Sequence, residues 1–66
     1  MRITVNGEPR EMGDDLSVET LLASLDLQGR PCAVEVNRSV VPRRSHAEHA
    51  LQEGDSVEIV TLVGGG

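Results

Sequence analysis

The 66 residues contain no phenylalanine, tyrosine or tryptophan, and a single cysteine, Cys32. Without aromatics the core has to be assembled from Leu, Val, Ile, Ala and Met. A lone cysteine excludes an internal disulfide framework, although chains under roughly 70–80 residues commonly need disulfides, a metal or a partner to supplement a thin core. At this size folding buries only about 60% of the unfolded chain's surface, so there is no room for a deep private active site. Basic residues are the minority, six against eleven acidic ones, for a net charge of −5. That balance repels phosphate backbones and anionic lipid, so neither nucleic acid nor membrane is an expected partner. No run approaches the ~18 apolar residues of a membrane span, and MRITVNGEPR lacks the apolar stretch of a signal peptide. The expected location is the cytoplasm, where a single thiol stays reduced.

What is present divides into short periodic stretches. In MRITVNGEPREM, Met1, Ile3 and Val5 alternate with Arg2 and Thr4 and then meet Asn6-Gly7, a pair that tolerates positive φ at both central positions of a hairpin turn. The second arm carries Pro9, which cannot donate to a ladder, and is expected at a sheet edge. GDD breaks the pattern. In LSVETLLASLDLQGR, Val18, Leu21, Leu22 and Leu25 fall at i, i+3, i+4 and i+7, one face of a helix. Ser17 is the expected N-cap, Glu19 sits in the first turn, and Leu16 can pack on Leu21 across the cap. Gly29 is the expected left-handed stop, with Pro31 just beyond it.

CAVEVNRSVVP alternates Cys32, Val34 and Val36 with Ala33, Glu35 and Asn37, then turns at Asn37-Arg38 into the short arm Val40-Val41. RRSHAEHALQEGD is polar and irregular, with one turn of helix expected around His46 to His49 and a turn at Glu53-Gly54-Asp55. In SVEIVTLV, Val57 and Ile59 face one way and Val60 and Leu62 the other, the pattern of a central strand. The elements add up to an α+β domain, a mixed sheet of four to five strands crossed by one main helix.

The chain closes on TLVGGG. Residues 1–62 are expected to form the domain and residues 63–66 a flexible glycine tail whose extended reach is roughly 13 Å. Polyglycine has no Cβ, so it can thread a slot closed to other residues and present its carboxylate to another protein's active site. By composition alone an idle, frayed end is the competing reading.

MRITVNGEPRE, AVEVNRSVVPR and LQEGDSVEIVTLVGGG together resemble the small sulfur carrier proteins of thiamine biosynthesis, over nearly the whole chain. Ala33 to Arg43 is similar to the family's AVEVN, two or three residues, VVPR block almost letter for letter. The resemblance implies the ubiquitin-like β-grasp fold, and a carrier with no catalytic activity and no cofactor of its own. It implies that an ATP-dependent E1-like enzyme adenylates the carboxylate of Gly66. A sulfur donor such as a cysteine desulfurase persulfide then converts the adenylate to a thiocarboxylate, and thiazole synthase accepts the sulfur. Val63, Gly64, Gly65 and Gly66 would enter the partner's active site, with Gly65-Gly66 the functional pair and Gly64 adding slack.

The chain departs from the family in two places. His46 stands in the region after the proline-arginine block where members often place an aromatic, and three glycines end the chain where two suffice. Carriers of this build also serve molybdopterin, cysteine, tRNA thiolation and sulfur-containing natural products, though the molybdopterin branch usually has a Pro-containing segment before Ala-Gly-Gly that TLVGGG lacks. From other classes, the alternatives are a ubiquitin-like modifier joined to lysines through the same carboxylate, and an interaction domain with an idle tail.

Other chemistry-bearing residues read as structural. Cys32 opens an apolar alternation without a pattern of basic neighbours to lower its pKa, so packing is expected rather than a persulfide site. His46 and His49 lack a third ligand at metal spacing and are expected to be a solvated pair. Asp14-Asp15, Glu53 and Asp55 suit turns and the helix start better than paired acid-base catalysis. Arg43-Arg44 is expected to be solvated, and Gly7 and Gly54 to serve turns.

Overall fold

The computed structural model describes residues 1–62, so the expected tail, residues 63–66, lies outside the described residues. β1 (Arg2–Val5) and β2 (Glu8–Glu11) form the first hairpin. Asn6 at φ 52° and Gly7 at φ 83° occupy the two left-handed positions of its turn. All of β2 is exposed, consistent with an edge strand carrying Pro9. β3 (Cys32–Val36) and β4 (Ser39–Val41) form a second hairpin with the same backbone solution, Asn37 at φ 51° and Arg38 at φ 71°.

β5 (Ser56–Thr61) joins the two hairpins into one five-stranded sheet of order β2-β1-β5-β3-β4. It runs parallel to β1 through Thr4–Ser56 and Val5–Val57, and antiparallel to β3 from Cys32–Thr61 to Val36–Val57. The expected central strand is therefore β5. Only one of its faces is covered, however: Val57 and Ile59 are buried, whereas Val60 is 59% and Leu62 52% exposed. The apolar residues on the second face reflect an open sheet surface, not burial on both sides.

The helix, α1 (Val18–Ser24), is shorter than the apolar spacing suggests. Ser17 caps it as expected, and its Oγ accepts from the Thr20 N–H at 3.1 Å while Thr20 Oγ1 accepts from the Ser17 N–H at 2.8 Å. Threonine thus takes the place of Glu or Gln in a capping box. The other early orphan donors find backbone: Val18 N–H donates to His49 O and Glu19 N–H to His46 O, both at 3.0 Å. Leu16 and Leu21 are both buried across this cap.

At the other end Gly29 is not the stop. Leu25 is the C-cap and Asp26, at φ 63°, takes the left-handed position. Asp26 N–H then donates to Ala23 O (3.1 Å) and Leu27 N–H to Leu22 O (2.8 Å), the paired bonds of a Schellman closure. Aspartate tolerates this conformation better than most side chains, and Leu27 can fold back on the core beside Leu22. Gly29, at φ 80°, serves the following turn.

One core results. Ile3, Val5, Val34, Val36, Val41, Val57 and Ile59 from the sheet meet Val18, Leu21 and Leu22 from α1, closed at the margin by Leu16 and Leu51. Between β4 and β5 a 3-10 turn, Arg43–Ser45, leads into the single turn expected around His46 to His49, which His49 N–H closes on Ser45 O at 2.9 Å.

Candidate functional site

The site expected from the sequence, Val63, Gly64, Gly65 and Gly66, lies outside the described residues; what the fold defines is how the chain is delivered to it. On the β3 side β5 is laddered to its end, and Leu62 N–H still donates to Pro31 O at 2.9 Å. On the β1 side the hairpin turns away after Val5, and backbone pairing ends with Asn6 N–H donating to Val57 O at 2.9 Å. The Asn6 side chain adds one further rung. Its Oδ1 accepts from Ile59 N–H at 2.8 Å and its Nδ2 donates to Ile59 O at 3.1 Å. An amide is the side-chain group that reproduces a backbone donor and acceptor together.

Asn37 does related work at the start of the strand. Its Oδ1 accepts from Ser56 N–H and its Nδ2 donates to Asp55 Oδ1, each at 3.0 Å. Sequence reasoning read both asparagines only as turn formers; the signal it missed is that each turn sits beside β5. Asn6→Asp is expected to cost about 1–3 kcal/mol in urea denaturation, because a carboxylate oxygen then faces Ile59 O with no hydrogen to share.

The other singled-out residues fall into place around this strand. His46 is buried, not solvated as expected, at 7% exposure. Its Nε2 lies 3.0 Å from Val41 O, which can only accept, so Nε2 carries the proton. Its own backbone carbonyl and that of His49 accept from the first N–H groups of α1. Among the described residues no group of three His, Cys, Asp or Glu side chains is placed to hold a metal ion.

Cys32 is half-buried against the core and borders a cavity of about 140 Å³, together with Leu22, Leu27, Arg30, Arg43 and His46. Asp55 Oδ2 accepts from Gln52 N–H at 2.8 Å, a turn role as expected, and Glu53 Oε1 accepts from Arg2 N–H at 3.0 Å, at the start of β1. Asp15 sits in a turn at φ 60°, and Arg43 and Arg44 are exposed.

The open sheet face carries Val40, Val60 and Leu62 at 71%, 59% and 52% exposure. By strand alternation Ala33, Glu35 and Glu58 share it, and Glu35 stands directly opposite Glu58 in the ladder. Like charges set across a ladder oppose folding, yet such a pair beside exposed aliphatics is suited to meeting a basic surface. The strand that leads to residues 63–66 thus emerges along an acidic, partly apolar face.

Similarity to known proteins agrees with this arrangement. The sequence matches the ThiS family over residues 3–66. It is 42% identical over its whole length to a thiazole synthase of Paramagnetospirillum magneticum, but spans only 20% of that protein. It is 30% identical to the sulfur carrier protein ThiS of Escherichia coli, with both chains covered completely. The crystal structure of a thiamine biosynthesis protein (ThiS) from Geobacter metallireducens superposes with a TM-score of 0.85 at 35% identity, each chain covered in full. The fold is the ubiquitin-like β-grasp implied by the sequence, and the chain belongs to the ThiS family.

Proposed function

We propose that this chain is a sulfur carrier of thiamine biosynthesis, without catalytic activity of its own, whose reactive group is the carboxylate of Gly66. A carboxylate is a poor electrophile. Its oxygen attacks the α-phosphorus of ATP in an E1-like enzyme, pyrophosphate leaves, and an acyl adenylate forms. A persulfide, such as that of a cysteine desulfurase, attacks the Gly66 carbonyl and expels AMP. Cleavage of the resulting S–S bond by a thiol leaves the thiocarboxylate, which passes its sulfur to thiazole synthase.

The observation that carries this reading is β5, held on both sides and leading through Leu62 straight into Val63-Gly64-Gly65-Gly66. Four residues give about 13 Å of reach, enough to enter a partner's cleft while the acidic face docks. Family membership and whole-length identity to a sulfur carrier support it, as does similarity to one segment of a thiazole synthase. A cytoplasmic location belongs to the same proposal, since a lone thiol suits a reducing compartment.

Isolation from the native host under mild conditions, followed by intact mass measurement, tests it. The expected product differs from the unmodified chain by exchange of one oxygen for sulfur at Gly66. An unchanged mass after incubation with an adenylating enzyme, ATP and a persulfide donor would refute the carrier role, and protein-sized lysine adducts would replace it with a modifier.

A further inference from the structure

The chain has two asparagines, Asn6 followed by Gly7 and Asn37 followed by Arg38. An asparagine before glycine carries a reaction of its own. The Gly7 nitrogen, once its proton has gone to hydroxide, attacks the Asn6 side-chain carbonyl carbon, the amide nitrogen takes up a proton and leaves as ammonia with the C–N electron pair, and a five-membered succinimide closes. Water then opens the ring at either carbonyl, to aspartate or to isoaspartate. Glycine makes the attack fast because no Cβ hinders its nitrogen, and asparagine is among the thermolabile residues for such reasons. We infer that Asn6 is a self-modification site, held off by the closed seam between β1 and β5 and released when that seam opens, so that deamidation leaves a covalent mark on chains that have opened there.

The protection is geometric. Asn6 and Gly7 are both exposed, and a Cβ added at Gly7 would meet nothing within 4 Å, so hydroxide and water reach the turn and burial does not guard it. Ring closure needs the Asn6 Cβ and the Gly7 nitrogen nearly eclipsed about the Cα–C bond. The φ values of 52° and 83° are those of a type I′ turn. Such a turn sets ψ of its first central residue to about +30°, which holds the two atoms well away from eclipsed. The side chain is held too: Oδ1 accepts from Ile59 N–H at 2.8 Å and Nδ2 donates to Ile59 O at 3.1 Å. Bringing Cγ onto the Gly7 nitrogen therefore requires the turn to unwind and both of these bonds to break. The seam they close is short, since β1 and β5 share only the pairs Thr4–Ser56 and Val5–Val57. Its opening is a local event, cheaper than unfolding the whole chain.

The product cannot restore the seam. Aspartate sets a carboxylate oxygen against Ile59 O, where the amide had donated. Isoaspartate puts an extra methylene into the main chain, so the two-residue turn no longer matches the Val5–Glu8 pairing. Asn37 supplies the contrast within the same molecule. It takes the same left-handed position at φ 51°, with its Oδ1 accepting from Ser56 N–H and its Nδ2 donating to Asp55 Oδ1, but the Arg38 side chain hinders the attacking nitrogen whether the chain is folded or not.

The test incubates the full chain at mildly alkaline pH, folded and in concentrated guanidinium chloride, follows replacement of side-chain amide by acid through intact mass, and locates it by peptide mapping. Asn6 is expected to react at least about tenfold more slowly in the folded chain than in denaturant, and Asn37 to lag behind Asn6 in denaturant. The folded rate should nonetheless exceed the denatured rate multiplied by the equilibrium unfolded fraction, which reaction through a local opening requires. The deamidated chain, once separated, should melt at a lower temperature than the untreated one. A folded rate within tenfold of the denatured one would overturn the protection. A folded rate equal to that product would assign the reaction to global unfolding rather than to the seam, and an unchanged melting temperature would remove the mark; either result overturns the inference. No partner enzyme takes part, so the outcome is independent of the carrier reading.

Discussion

Deleting Gly66 is expected to abolish ATP–pyrophosphate exchange with an adenylating partner while moving the melting temperature by less than about 2 °C, under roughly 0.5 kcal/mol at this size. The stability half follows from where the core is: among the described residues every buried apolar side chain lies between Ile3 and Ile59, and β5 is fixed by β3 and by Asn6 before the chain reaches Val63. The activity half follows from reach. Deletion withdraws the carboxylate by about 3.5 Å, when misplacement of reacting atoms by 1 Å can cost on the order of a hundredfold in rate. Gly65→Val is expected to fail for a different reason, because a branched side chain blocks a slot sized for backbone and restricts the φ available to it. Calorimetry and the exchange assay on one preparation separate the two halves. A melting temperature lowered by more than about 5 °C would make the last residues structural, and undiminished exchange would remove Gly66 from the chemistry.

Much of this was legible in the sequence because the informative rules are local. Asn6-Gly7, Pro9, the Ser17 cap and the set Val18, Leu21, Leu22 each report on a few neighbouring residues and stand where they were expected, while Leu25, the i+7 member, falls at the C-cap. The departures involve partners distant in sequence. Gly29 is the better left-handed residue, yet the helix closes at Asp26, where Leu27 can reach back over Leu22. His46 lies in a polar run and reads as solvated, but the cap of α1 needs its carbonyl and Val41 O needs its ring N–H, so it is buried. Val60 and Leu62 look like a second core face in any strand pattern; that no element covers them is a property of the whole topology. The Asn6 rung on Ile59 crosses 53 residues and leaves no local trace. The carboxylate chemistry became legible only through the resemblance of whole blocks, since a glycine run has no periodicity to interpret.

Leu21→Ala is expected to remove most of the stability of the fold. Leu21 is 0% exposed, and it stands on α1, against the one core the described residues contain. Truncating a buried leucine to alanine costs about 2–5 kcal/mol, the spread reflecting how far the surroundings collapse into the space. A chain of this length holds roughly 3–10 kcal/mol in total, and here no disulfide or aromatic side chain shares the load. Collapse is hindered as well, because the start of α1 is tethered to the loop before β5 by bonds to the His46 and His49 carbonyls, which resists its sliding toward the sheet. Urea titration followed by circular dichroism should show the midpoint falling by half or more, or the cooperative transition disappearing at physiological temperature. Val60→Ser on the open face, losing a similar apolar side chain at a position already 59% exposed, should stay within about 0.5 kcal/mol of wild type. If the two substitutions cost the same, the assignment of a covered and an open face would be wrong, and with it the argument that Val60 and Leu62 are held out for a partner along the path to Gly66.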